Sequence, residues 1–452
     1  MNWEQIESRL DQLMAENRHG LLRGALMMLN PVDIAGYMKK LNREKLLMLF
    51  RILPKDVSAD VFSYMDTDQR QELVESIADA EISALIDEMF VDDAVDFLEE
   101  LPANAVKRVL QNTDPKTRAI INQFLKYPEN SAGSLMTIEY CEVSQDMNVG
   151  DALKSIKETG VDKETVYTLY MLDAQRRLIG TIPLHKALVV PEETALIKLM
   201  DPGIISVNTL DDQEIVADTV RKYHLLSIPV LDGEGRLVGI ITSDDIMDVI
   251  EEENTEDFEK MSGLAPAEQP YFKTKLTTLA INRLPWLMIL MFTSIISGAI
   301  ISRFESVLAV NILLSASIPM LMDTGGNCGQ QASTLMVRGL ALGEVQFKDL
   351  FRVLWTEFRV GGLIGIVLSS VTFLRLMFLN SAPVVTSAVI SVSLFATVVI
   401  AKSIGCVLPL LAQRVKLDPA LAASPLITTI VDACSLFIFF TIASHYIAQI
   451  AA

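Results

Sequence analysis

Five long apolar runs close this chain, at roughly 284–302, 307–337, 360–379, 384–412 and 420–449. Each is near or above the about 20 residues that a helix needs to cross a bilayer. Lipid offers the backbone no hydrogen bonds, so runs of this length predict α-helices and a five-span membrane domain over 281–452. Upstream the chemistry changes. Residues 1–275 carry 50 Asp and Glu against 28 Lys and Arg, whereas 276–452 carry 7 against 10. So acidic a half argues against nucleic acid, which rewards clustered Lys and Arg, and points to cations or basic partners.

The start, Met-Asn-Trp-Glu-Gln, has neither the basic opening nor the apolar core of a signal peptide, so the acidic half is expected to stay in the cytoplasm. Basic residues in the connections agree. Lys273, Lys275, Arg283, Arg338, Lys348, Arg352, Arg359, Arg414 and Lys416 fall on the predicted inner side, and Arg303 and Arg375 outside, as the bias of Lys and Arg toward cytoplasmic loops requires. Five spans then put the C-terminus outside, in a multi-pass protein of the cell (inner) membrane with lipid as its surroundings. Cys141, Cys328, Cys406 and Cys434 have no paired spacing and receive no chemistry.

Two unlike repeats subdivide the acidic half. Leu53-Pro54 and Leu101-Pro102 open similar segments at an offset of 48 residues, and short amphipathic stretches broken this way predict stacked helical hairpins over 1–130. Further on, the stretches from Tyr170 and Pro229 align at an offset of 59, matching Asp173 to Asp232, Arg177 to Arg236 and Gly180 to Gly239. Strand, tight turn, strand, helix is the predicted order. That pattern resembles a tandem pair of CBS domains over 131–250. The resemblance implies a ribose contact from Thr242 and Asp245, and with it ATP as a regulator. Capping of the following helix is the alternative use of the same two side chains.

Between this pair and the first apolar run lies the most charged stretch, an acidic connecting helix over 251–280. Asp245, Asp248, Glu252 and Glu256 recur at helical steps, so one face stacks carboxylates that repel one another unless cations intervene. Asp92 and Asp96 stand one turn apart, and Asp212 and Glu214 sit at a predicted helix start. Oxygen ligands without His or Cys suit Mg²⁺ or Ca²⁺.

In the membrane half, Gly325-Gly326-Asn327 and neighbouring amides interrupt an apolar run, which predicts a broken helix facing water or another helix. Pro319, Gly325, Gly326, Asn327, Gly329, Gln331, Thr334, Leu335 and Arg338 follow, in order, a signature that resembles the MgtE family of magnesium channels. The succession of parts agrees with that family: an all-α N-domain, an α/β CBS pair, a connecting helix and five spans. The resemblance implies a homodimer whose last span lines the pore, with Asp432 as its selectivity carboxylate and Asn327 beside the pore. Independently, Ser424, Thr428 and Asp432 recur every four residues and so share one helix face. Two carboxylates from two chains would match one divalent charge, held with its water shell. By resemblance, Asp92, Asp96, Asp212, Glu214, Asp245, Asp248, Glu253, Glu256, Asp257 and Asp418 become Mg²⁺ ligands of a sensor. Ser424, Gln330 and His224 depart from residues common in the family.

Three other readings compete. Asp323 heads Asp-Thr-Gly and could form an aspartyl hydrolase dyad with Asp432. A CBS nucleotide sensor merely anchored by its membrane half is the second, and a transporter of Co²⁺, Mn²⁺ and Ni²⁺ as well as Mg²⁺ the third. Arg375 and Lys402 read as snorkelling or helix-pairing charges. The favoured expectation is passive Mg²⁺ influx, for which ~100 mV supplies about 4.6 kcal/mol to a divalent ion, closed by Mg²⁺ on the acidic half. No phosphate loop or other energy-coupling motif is present.

Overall fold

Short helices with polar residues at their starts build the N-terminal part. The computed structural model describes residues 3–101, 103–266, 271, 272, 274–309, 311–422 and 424–451, with backbone alone at 103, 104, 422, 424 and 447–451. From Trp3 to Phe124 the described helices run 8 to 13 residues each. Asn30, Asn42, Asp66 and Asp114 cap four of them by accepting backbone N–H bonds at 2.8–3.1 Å. Pro54 precedes Lys55–Ser63, and the matching Leu101 step precedes Ala103–Asn112. Helices two apart in sequence pack together: Pro31–Met38 on Lys55–Ser63, that on Asp79–Ile86, and that on Ala103–Asn112. This is a repeat stack, stabilised by neighbour contacts. Its core includes Leu22, Leu26, Ile34, Met38, Phe62 and Phe97, with the Phe62 and Phe97 rings edge to face at 4.8 Å. Val91–Glu99, here α1, is one of these helices.

Two small sheets follow, each with the same order. Strands β1 (Cys141–Ser144), β2 (Thr168–Leu172) and β3 (Leu178–Pro183) form the first, and β4 (Val207–Asn208), β5 (Ser227–Leu231) and β6 (Leu237–Thr242) the second. In both, the outer parallel pair is completed by an antiparallel hairpin. The repeated residues explain the repetition. Asp173 accepts from the backbone N–H of Gln175 and Arg177, and Asp232 from Glu234 and Arg236, all at 2.8–2.9 Å, which fixes both turns. Gly180 and Gly239 lie where another segment crosses the hairpin: an added Cβ would stand 2.8 Å from the carbonyl oxygens of Asp201 and Thr137 respectively. Helix α2 (Gln213–Tyr223) lies between β4 and β5, and α3 (Ser243–Met261) continues from β6.

Residues 1–251 and 252–452 form two separate units. In the second, the main helices are α4 (Leu284–Arg303), α5 (Ile312–Ala341), α6 (Leu350–Phe378), α7 (Val384–Arg414) and α8 (Ser424–Ala451). Among the described residues, the segments Leu276–Arg303, Phe347–Phe378, Val384–Arg414 and Pro425–Tyr446 are long and apolar enough to cross a membrane. The second of the five expected spans, α5, is 30 residues long, but its glycines and amides leave it short of that apolarity.

The expected break in α5 does not occur. The helix runs unbroken through Gly325-Gly326-Asn327 and past Pro319, so its backbone is satisfied internally and the glycines serve packing instead. A Cβ on Gly326 would lie 2.6 Å from Thr428 Cγ2, one on Gly329 2.8 Å from Ile427 Cγ2, and one on Gly405 2.1 Å from the Gly329 carbonyl oxygen. Backbone therefore meets backbone where α5 crosses α7. Lys402 of α7 does not snorkel. It is 4% exposed and donates from Nζ to Gln331 Oε1 of α5 at 3.3 Å, pairing the two helices beside that crossing. Arg375 remains exposed, with Nη2 3.5 Å from Met320 Sδ.

Gly405→Ala should therefore lower the thermal stability of the detergent-solubilised protein by about 1–3 kcal/mol, the range for overpacking. Gly298→Ala, where a Cβ meets nothing within 4 Å, should leave it unchanged or slightly raised, because alanine favours a helix. Equal melting temperatures for the two variants would refute the close-crossing account.

Candidate functional site

In the second unit the site is built from polar residues of the neighbouring helices α5 and α8. Asp432 and Thr428 are half-buried on α8. On α5, Asp323 and Asn327 are exposed and one turn apart, while its glycines are buried. Gly326 brings α5 against Thr428, and Asp323 acts on Asp432 by like-charge repulsion. Ser424 starts the same helix, but its side chain lies outside the described residues. Sequence reasoning used Asp323 only as a possible catalytic acid. Its spacing of four residues from Asn327 was the available sign that it belongs to this polar face.

In the first unit, carboxylates converge from three places. Asp92, Asp93 and Asp96 come from α1, Asp244 and Asp245 from the first turn of α3, and Glu164 from the segment before β2. Apolar residues Val91, Ala94, Val95, Phe97 and Leu98 fix α1 in the core, leaving its acidic side toward the others. Burial raises the pKa of Asp92 well above the usual carboxylate range, and Asp93, Asp245 and Glu164 push it the same way. Asp92 Oδ1 is buried without a hydrogen-bond partner, an expensive state for a carboxylate oxygen. Glu164 is raised to about 7 by burial and then by Asp245, Asp93 and Asp244. Asp96 reaches about 7 through burial, Asp93, Glu99 and Asp245, although its outer edge is exposed. Asp245 is raised to about 6, by burial first, with Thr242 working against the shift.

Thr242 and Asp245 are bonded to each other: Oγ1 of Thr242 donates to Asp245 Oδ2 at 2.5 Å, and the Thr242 N–H to the same oxygen at 3.3 Å. The side chains assigned by resemblance to a ribose are thus engaged at the start of α3. Asp212 accepts from the Glu214 N–H at 2.9 Å and caps α2. His224 ends that helix in the left-handed conformation, φ 53°, where the chain turns and a short polar-capable side chain is tolerated. Asp248 is exposed and Glu253 half-buried along α3. Glu256 and Asp418 share the ammonium of Lys260, at 2.8 Å from each, and Asp257 is raised by burial and by Asp418.

The six carboxylates in the first unit suit a hard divalent cation by donor chemistry, by mutual repulsion and by the orphaned Asp92 oxygen. Among the described residues, no three His, Cys, Asp or Glu side chains are gathered closely enough to hold one ion. Asp93, Asp244 and Glu164 were not singled out from the sequence. The first two adjoin residues that were, whereas Glu164 carries no sequence signal of its own.

Comparisons with known proteins fit this architecture. Residues 318–442 match the family model described as MgtE, divalent cation transporter, residues 29–130 the MgtE intracellular N domain, and residues 196–252 the CBS domain. The class is therefore a membrane transporter family with an intracellular helical domain and CBS sheets, and none of these descriptions names a catalytic activity. The Magnesium transporter MgtE of Thermus thermophilus is 33% identical over 97% of this chain and 98% of its own length. That of Bacillus subtilis is 30% identical over 99% and 98%. The chain belongs to the MgtE family. Among solved structures, the soluble part of a magnesium transporter is 27% identical, covering 56% of this chain and 99% of its own at a TM-score of 0.54. The cytosolic domain of the Mg²⁺ channel MgtE in complex with ATP is 32% identical, covering 54% and 99% at 0.51.

The raised carboxyls set a pH dependence. Each keeps its proton to higher pH in the folded state than in the unfolded chain, so this stabilisation is complete below about pH 4. It is lost as pH rises through about 6 to 7. Without divalent ions the acidic unit should melt at a higher temperature at pH 5 than at pH 8. Glu164→Gln should raise the pH 8 melting temperature and flatten the difference. Unchanged pH dependence in Glu164→Gln, followed by circular dichroism, would remove Glu164 from the cluster.

Proposed function

We propose that the protein is a homodimeric, Mg²⁺-selective channel through which the ion enters passively, driven by membrane potential and closed by cytosolic Mg²⁺. The observation that carries this reading is the carboxylate of Asp432, half-buried on α8 with Thr428 and within electrostatic reach of the exposed Asp323 of α5. An intramembrane carboxylate without a cation to offset it is costly, which favours a role facing an ion path. Two such faces around a two-fold axis would supply oxygen donors, and the pair of Asp432 carboxylates two negative charges, to one hydrated divalent ion. The names of the two full-length relatives, both magnesium transporters, support Mg²⁺ as the cargo. The family description as a divalent cation transporter supports Co²⁺, Mn²⁺ and Ni²⁺ as the second reading. In this reading the division of labour follows 1–130, 131–250, 251–280 and 281–452, with the first three parts cytoplasmic and the C-terminus outside.

The sensor is the acidic first unit. Asp92, Asp96, Asp245 and Asp248 would hold regulatory Mg²⁺, with Asp212, Glu214 and Glu253 as further acidic positions. Bound cations would supply charge that offsets carboxylate repulsion. The chain's own contribution is to keep those carboxylates close enough to repel when no ion is present. ATP binding by the CBS part rests on the ATP complex of the cytosolic-domain relative. A nucleotide contact by Thr242 and Asp245 would have to break the bond between them.

Asp432→Ala should reduce Mg²⁺ flux into reconstituted vesicles at least about tenfold, as expected when the charge facing a divalent ion is removed, while assembly is retained. Near-normal flux in that variant would refute the pore assignment. Changing Asp92, Asp96, Asp245 and Asp248 together to Asn should abolish both Mg²⁺-dependent closure and Mg²⁺-dependent protection of the soluble half from protease. Retention of both at unchanged Mg²⁺ concentration would reduce those residues to a solvated acidic surface.

A further inference from the structure

The membrane-side end of the connecting helix carries a cation of its own. Lys260, in the last turn of α3, places Nζ 2.8 Å from Glu256 Oε1 and 2.8 Å from Asp418 Oδ2. Asp418 lies just before α8, and its other oxygen, Oδ1, accepts the Ala420 N–H at 2.8 Å. Both oxygens of that carboxylate are therefore in use. Next to Lys260, Met261 packs on Val337 of α5 and on Ala420, which are 5% and 1% exposed. The contact thus has an apolar base and an ionic cover. Burial works against the ammonium, but Asp418 and Glu256 hold its pKa above the ordinary lysine value.

This arrangement does not fit a magnesium ion at Glu256 and Asp418. Mg²⁺ demands oxygens at about 2.0–2.1 Å in an octahedron and usually keeps several waters. Here the space between the two carboxylates is filled by an ammonium with three donors. Asp257 adds a third negative charge beside them, so one lysine faces three carboxylates. We infer that Lys260 is the resident cation of this joint: a positioning residue that pins the end of the connecting helix to the inner end of the pore helix without a divalent ion, with Glu256 and Asp418 as its anions rather than as metal ligands. Resting on the channel reading above, the inference makes α3 a lever already fixed at its membrane end. Ion-dependent movement then originates in the carboxylates of the first unit.

The test uses the full-length protein in lipid nanodiscs, with Cys141, Cys328, Cys406 and Cys434 replaced by Ser and the pair Met261→Cys and Ala420→Cys introduced. With chelator present and no divalent ion, a short thiol crosslinker should join the pair as efficiently as in millimolar Mg²⁺. Adding Lys260→Met should cut crosslinking in chelator by roughly fivefold, the population change that half-exposed ion pairs support, and Lys260→Arg should preserve it. Lys260→Met combined with Asp418→Asn, which removes the unpaired charge, should restore much of the loss and covers the case in which Lys260→Met alone misfolds. Crosslinking that needs Mg²⁺ in the parent, or that is unaffected by Lys260→Met, overturns the inference, as does failure of both Lys260→Arg and the double variant to recover it. The readout involves no transport, so a failed channel assignment would appear as absent flux with this result unchanged.

Discussion

Repulsion between carboxylates that water cannot fully screen is the constraint on which the rest of this structure depends. It appears at three places: among Asp92, Asp93, Asp96, Asp244, Asp245 and Glu164 in the first unit, around Asp418 just before α8, and between Asp323 and Asp432. Each is relieved differently. In the first unit Asp92, Asp93, Asp96, Asp245 and Glu164 shift toward protonation and one oxygen stays unpaired. At Asp418 a lysine supplies the missing positive charge. On α5 and α8 the carboxylates lie on exposed or half-buried surfaces, open to solvent or to cations.

Close packing decides where those charges can sit. Gly326 admits Thr428, and Gly405 admits the Gly329 carbonyl, so α5 is held against α7 and α8 at backbone distance. That approach buries the glycine face of α5 and leaves Asp323 and Asn327 exposed beside it. Association of membrane helices gains little from the hydrophobic effect, because lipid is as apolar as leucine, and shape and hydrogen bonding take its place. The Lys402 to Gln331 bond serves the same crossing. In the soluble sheets the matched glycines play a comparable part, since Gly180 and Gly239 leave room for the segments bearing Asp201 and Thr137.

Much of this was legible from sequence. Apolar run length gave the membrane helices, because a bilayer has a fixed thickness. The matched Asp, Arg and Gly residues gave two hairpins of one design, because a tight turn accepts few side chains. Fourfold spacing put Thr428 and Asp432 on one side of α8, and both are half-buried there. Where sequence reasoning failed, it treated a local tendency as decisive. Gly-Gly-Asn weakens an isolated helix, but in α5 the same residues let neighbouring helices approach, and that packing keeps the helix whole.

What the sequence by itself determined was therefore the order of parts, the sign of their charge and the periodic faces of single elements, all properties of neighbours along the chain. Only the tertiary structure decided which charges meet. Glu164 joins Asp92 and Asp245 across more than 70 residues of chain, and Lys260 meets Asp418 across more than 150. Electrostatic energy depends on distance in space and on access of water. Neither is encoded by position in the sequence until the chain has folded.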